Sequence, residues 1–233
     1  MDSRIFNLVF YFGIVVISIL FLPALILPKK ITIFGGKIMG VWSNICLRFL
    51  LSTKIEIRGK ENIIENENFF IACTHQSAFE TFYLQVIFNA PVFILKKELT
   101  RIPIFGWYLN KIGSISIERN KISKENLGFM EKIKNSYQLN NRPVVIFPQG
   151  TRTNIIDRSQ FKKGVTRIYN ELKIKCQPVV MNSGAIWPKT GNMKKNKTLI
   201  ISILKPIQPG LEDKIFLEDL QKKIYDELDN FCF

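Results

Sequence analysis

From Lys54 onward the sequence alternates between two kinds of segment, and that alternation restricts the chain to few folds. Seven short runs are rich in β-branched and aromatic residues and read as strands: Lys54–Arg58, Phe69–Cys73, Val92–Lys96, Ser114–Glu118, Val144–Pro148, Gln177–Met181 and Thr198–Leu204. Between them, Phe79–Phe88, Lys124–Leu139, Lys162–Leu172 and Leu211–Leu228 carry apolar residues at helical spacing. Several strand runs are apolar on both faces, as strands covered by helices on each side are. The pattern predicts an α/β fold: a mixed, largely parallel sheet flanked by helices, closed by the last amphipathic helix. No internal repeat and no low-complexity tract interrupts it.

Ahead of this region lies an uncharged run, Ile5 to Pro28. As a helix it would reach about 36 Å at 1.5 Å per residue, against a hydrocarbon core of about 30 Å. Pro23 predicts a kink or an early end. A second apolar stretch, Ile38–Leu51, is too short to cross and is split by Arg48. A secretory signal peptide is disfavoured, because the run exceeds the usual apolar region and no small-x-small cleavage site follows. Lys29, Lys30 and Lys37 follow the run, which puts the bulk of the chain on the cytoplasmic side. Residues 1–52 are therefore expected to be a membrane-anchoring helical segment and 53–233 the α/β domain. A span and a kinked hairpin within one leaflet both fit, and the competing reading is a buried hairpin packed on a soluble domain.

Lys and Arg number 33 against 19 Asp and Glu, a net charge of +14. Such a surplus calls for an anionic partner. The basic residues come in pairs, among them Lys96-Lys97 and Lys162-Lys163, without the blocks or fingerprints of a nucleic-acid binder. An anionic bilayer explains them at about 1 kcal/mol per nearby cation. Four scattered cysteines and a single histidine make neither a zinc site nor a disulfide framework, so no metal is expected and a reducing compartment fits.

That lone histidine, His75, directly follows an apolar strand, and strand ends are where ligands collect in open α/β sheets. Glu80 follows in the first turn of the next predicted helix, close enough to fold back on the imidazole as the orienting carboxylate of a general base. Ser77-Ala78-Phe79-Glu80 also matches a capping box, which would give Glu80 a purely structural job. Ser77 lacks the glycine elbow of a nucleophile. A second cluster ends the run Val144–Thr153: Gly150 allows close backbone approach, while Thr151 and Arg152 supply donors for a phosphate. Arg119 ends a third strand run.

His75-Gln-Ser-Ala-Phe-Glu80, Gly113-x5-Arg119 and Phe147-Pro-Gln-Gly-Thr-Arg152, in this order, resemble the motifs of the glycerolipid acyltransferase family. Lys96–Leu109 and Cys176–Pro188 resemble its other blocks, and the likeness covers most of Lys54 to Lys189. Two positions depart from the family pattern: Glu80 stands where Asp is usual, and Gln149 where Glu is usual. The resemblance implies transfer of a fatty acyl group from an acyl thioester, on coenzyme A or acyl carrier protein, to the sn-2 hydroxyl of 1-acylglycerol-3-phosphate, forming phosphatidic acid without a cofactor. It implies His75 as base and Glu80 as its orienting partner. Arg119 and Arg152, with Lys96 or Lys97, would hold the acceptor phosphate, and backbone N–H groups at Gly150 and Thr151 would face the oxyanion. Ile102–Leu109 reads either as a wall of an acyl groove or as an aromatic membrane rim. The same likeness places the chain at a bacterial inner membrane, facing the cytoplasm. Another lysolipid acceptor, such as a lyso-ornithine lipid, and an inactive basic membrane adaptor are the alternatives.

Overall fold

The computed structural model describes residues 3–88, 90–117, 128–140 and 142–231. Its strands are β1 (Lys54–Arg58), β2 (Phe69–Cys73), β3 (Val92–Lys96), β4 (Ile115–Ile117), β5 (Val144–Ile146), β6 (Lys175–Met181) and β7 (Thr198–Ile203). Its helices are α1 (Ser3–Leu20), α2 (Lys29–Leu51), α3 (Phe79–Ile87), α4 (Phe105–Lys111), α5 (Phe129–Asn140), α6 (Gly164–Leu172) and α7 (Asp213–Asp229). The strands run mostly parallel with helices flanking them, the α/β architecture that the alternating pattern predicts. The predicted Arg119 lies outside the described residues, as do Glu118 and Cys232.

The chain divides into two compact units. The first comprises Met1–Ser3, Leu47–Glu80 and Val145–Phe233. Its strands follow the order β1-β7-β6-β2-β5. β1 and β7 pair in parallel with Lys54 opposite Thr198, and β2 and β6 pair in parallel with Phe69 opposite Lys175. β6 and β7 are antiparallel, Val179 opposite Ile203, which makes the sheet mixed. All five residues of β2 are buried, as its unbroken apolar text requires. α7 presents Phe216, Leu220, Ile224 and Leu228, four residues apart, to the core, and Phe216 stacks on Tyr169 of α6 at 3.8 Å.

The second unit comprises Arg4–Cys46 and Thr81–Val144. β3 and β4 pair in parallel within it, Ile94 opposite Ile115. Arg142 is buried and donates from Nε to the Ala90 carbonyl at 2.5 Å, and from its two terminal nitrogens to the Ile112 and Pro91 carbonyls at 2.7 and 3.3 Å. One side chain thus holds the entry to β3, the end of α4 and the approach to β5. Burial pushes its guanidinium down to about 10.

Sequence reading underestimates α2. Its 23 residues extend well before Ile38, because three lysines and the glycines Gly35, Gly36 and Gly40 dilute the apolar pattern. Two of those glycines, Gly35 and Gly40, serve close packing. A Cβ at Gly40 would sit 2.6 Å from the Phe82 carbonyl oxygen of α3, and one at Gly35 would sit 2.8 Å from the Phe21 ring. A Cβ at Gly13 of α1 would lie 2.2 Å from the Trp42 indole, whose Nε1 donates to the Phe10 carbonyl at 3.1 Å. α1 and α2 therefore form an antiparallel hairpin. Pro23 ends α1 in a 3-10 turn at Leu22–Leu25, as predicted.

α1 buries Phe6, Phe10, Ile14 and Ser18 along one stripe and exposes Leu8, Phe12, Val15, Ile19 and Leu20 on the other. Among the described residues it is the helix long and apolar enough to cross a membrane. The segment Ile102–Leu109 contains α4: Tyr108 is buried and donates to the Ser18 carbonyl at 2.7 Å, while Trp107 is exposed.

Candidate active site

β2 ends at Cys73, and Thr74 ties its end to that of β6. The Thr74 hydroxyl accepts the Met181 N–H at 2.9 Å. His75 and Ser183 thereby emerge beyond the carboxyl ends of two parallel neighbours, the place where α/β sheets gather ligands.

Four neighbours fix His75. Its N–H donates to Gln149 Oε1 at 3.1 Å, and its carbonyl accepts the Thr153 N–H at 2.8 Å. Phe147 stacks on the ring at 4.0 Å between centroids. Nδ1 lies 3.5 Å from Glu80 Oε2, the ring keeps 16% exposure, and Glu80 keeps 0%. Nδ1 is itself buried and reaches no hydrogen-bond partner in this resting geometry, so the exposed edge of the imidazole is the other one.

Glu80 also performs the capping job. Its Oε1 accepts the Gln76 and Ser77 N–H groups at 3.1 Å each, its Oε2 accepts the Ser77 N–H at 3.0 Å, and Ser77 Oγ accepts the Phe79 N–H at 3.0 Å. The capping box and the histidine partner are thus the same carboxylate rather than competing readings. Ser183 donates its hydroxyl to Glu80 Oε1 as well. The neighbouring Cys73 thiol is pushed well up, first by burial and then by the charge of Glu80, which leaves it without nucleophilic character.

Gln149 is buried and takes the backbone of His75 through an acceptor oxygen that glutamine and glutamate share, so the departure from the family pattern leaves this hold intact. Gly150 adopts φ +74 and its N–H closes a turn onto the Phe147 carbonyl at 2.9 Å. Thr151 is exposed and Arg152 half-buried on the same loop. Lys96 and Lys97 belong to the second unit, at the end of β3 and the start of a 3-10 turn. Sequence reading singled out neither Ser183 nor the packing role of Phe147. A signal for Ser183 was present, since it closely follows a buried strand.

A profile of the acyltransferase family matches residues 54–182. The 1-acyl-sn-glycerol-3-phosphate acyltransferase of Pseudomonas aeruginosa is 32% identical over 158 residues, 67% of this chain and 60% of that protein. The enzyme of the same name from Helicobacter pylori is 32% identical over 161 residues, 67% of each chain. That from Saccharomyces cerevisiae is 29% identical over 187 residues, 78% of this chain and 61% of that protein. The alignments with the bacterial Pseudomonas and the yeast protein thus span about 60% of those relatives' length. The crystal structure of the 1-acyl-sn-glycerophosphate acyltransferase PlsC from Thermotoga maritima superposes with a TM-score of 0.75 at 19% identity, over 98% of this chain and 97% of that one, and shares the fold. The chain belongs to the acyltransferase family.

Proposed function

We propose that the protein transfers a fatty acyl group from an acyl thioester to the sn-2 hydroxyl of 1-acylglycerol-3-phosphate, forming phosphatidic acid. The observation that carries this reading is His75: its backbone and ring face are fixed, and the buried carboxylate of Glu80 lies 3.5 Å from Nδ1. An imidazole so held keeps Nε2 for the substrate. The proposed step is direct. Nε2 takes the hydroxyl proton as that oxygen attacks the thioester carbonyl. The tetrahedral intermediate then collapses, the C–S bond breaks, and the departing thiolate takes the proton back from the imidazolium.

The Gly150 N–H is engaged within its turn, so the oxyanion role passes to the N–H of Thr151. Arg152 is the phosphate-holding cation proposed on this loop. Residues 53–233 carry the catalysis and 1–52 the anchor.

The enzyme works at the cytoplasmic face of a bacterial inner membrane, with the α1–α2 hairpin in one leaflet. Support comes from the lateral contacts of α1 with Trp42, Phe82 and Tyr108, which a free-standing span would not make, and from its apolar outer stripe.

The direct test supplies purified protein with lysophosphatidate and palmitoyl-CoA or palmitoyl-acyl carrier protein, separately. Phosphatidate from either donor supports the reading. No phosphatidate from both, with product from a lyso-ornithine lipid, replaces the acceptor.

A further inference from the structure

We propose that Ser183 is a positioning residue for the His75–Glu80 pair, its hydroxyl deciding which carboxylate oxygen faces the imidazole. The proposal rests on the general-base reading of His75 given above.

Three donors converge on Glu80 Oε1: the N–H groups of Gln76 and Ser77 at 3.1 Å each and the Ser183 hydroxyl. A carboxylate oxygen offers about two lone-pair sites, so Oε1 is saturated. Oε2, with the Ser77 N–H at 3.0 Å, is the oxygen left for Nδ1 at 3.5 Å. Without the Ser183 hydroxyl, the carboxylate would keep only the Gln76 and Ser77 N–H donors of the strand-to-helix turn, and its plane would be held less tightly toward the imidazole.

The platform under Ser183 is rigid. It opens a 3-10 turn, Ser183–Ala185, immediately after Asn182. Asn182 is clamped to β7 by accepting the Ile200 N–H at 2.7 Å and donating to the Thr198 carbonyl at 3.1 Å. The Ser183 carbonyl accepts the Trp187 N–H at 2.8 Å. Gly184 donates to Gln76 Oε1 at 3.1 Å, and a Cβ there would come within 2.9 Å of Gln76 Cβ. The turn is thus pressed against the segment that carries His75, and the fully buried Ser183 has its hydroxyl directed at Glu80. Family pattern and sequence spacing gave Ser183 no role, because 103 residues separate it from its partner.

His75 is the single histidine, so a chain labelled with nitrogen-15 at histidine gives one imidazole spectrum. In spectra of the neutral imidazole, the wild-type chain should hold the ring proton on Nδ1. In Ser183→Ala the two ring-nitrogen shifts should move toward the free-imidazole mixture. Its kcat should fall about tenfold with both KM values within about twofold, the loss of one hydrogen bond to a charged group. Ser183→Thr, which keeps the hydroxyl, should restore both. Ser183→Cys, close in size and a weak donor, should resemble the alanine variant, and it carries the test if that variant does not fold. A folded Ser183→Ala or Ser183→Cys with wild-type nitrogen shifts and kcat overturns the proposal. If the wild-type chain makes no phosphatidate but the shifts move as described, the reaction assignment fails and the positioning role stands. If it makes phosphatidate and neither variant changes, the positioning role fails alone.

Discussion

The side-chain amide of Gln149 holds the backbone of His75, accepting its N–H at 3.1 Å across 74 residues of sequence. Because glutamate offers the same acceptor, Gln149→Glu is expected to keep turnover within about threefold. Gln149→Leu leaves a buried N–H without a partner, at a cost of about 1–3 kcal/mol. Urea unfolding and phosphatidate formation measured on both variants check the pair. Equal stability of the two would show that this acceptor contributes nothing.

His75→Ala is expected to lower acyl transfer by about two to four orders of magnitude while the chain stays folded. Circular dichroism alongside the transfer assay separates loss of chemistry from loss of structure. Turnover near the wild-type rate in the folded variant would remove His75 from the reaction.

Arg152→Ala is expected to raise the KM for lysophosphatidate about tenfold or more, with a smaller change in the KM for the donor, since a charge-assisted contact to one substrate is lost. Initial rates with each substrate varied in turn are the measurement. Equal effects on both substrates would count against a phosphate-holding role.

Much of this site was readable in the sequence because His75 and Glu80 lie on one strand-turn-helix unit, where local geometry alone brings them together. The contacts from Gln149 and Ser183 were not readable, since they depend on the elements that converge around the turn after β2. β2 coincides with its apolar run because burial on both faces leaves no polar break inside it. The edges moved where the chain turns: β5 stops at Ile146, before Pro148, and β6 starts earlier, at Lys175. α2 was cut short for a different reason. The apolar stretch Ile38–Leu51 marks only its second half, because lysines and glycines dilute the first, and in the fold Gly40 is a point of contact with α3.

Cys73 and Cys176 are fully buried, and burial pushes both thiols well up, aided by Glu80 and by Asp219 respectively. Alkylation by iodoacetamide at pH 8 should therefore leave both untouched until the chain unfolds, as mass spectrometry would show. The unfolded chain releases these protons first on raising the pH, so their share of stability is complete below about pH 8.5 and declines above it. Rapid native labelling of Cys73 would contradict its burial.

Gly40→Ala is expected to destabilise the α2–α3 crossing by about 1–3 kcal/mol, because its methyl group would press on the Phe82 carbonyl. A lowered thermal midpoint in detergent checks this, with Gly128→Ala, where a Cβ meets nothing within 4 Å, as the comparison. No difference between the two would contradict close contact at Gly40.

The carboxylate of Glu80 caps the start of α3 and faces the histidine at once. The start of α3 and the surroundings of the imidazole therefore depend on a single group. When the first turn of α3 frays, the imidazole loses its carboxylate in the same motion.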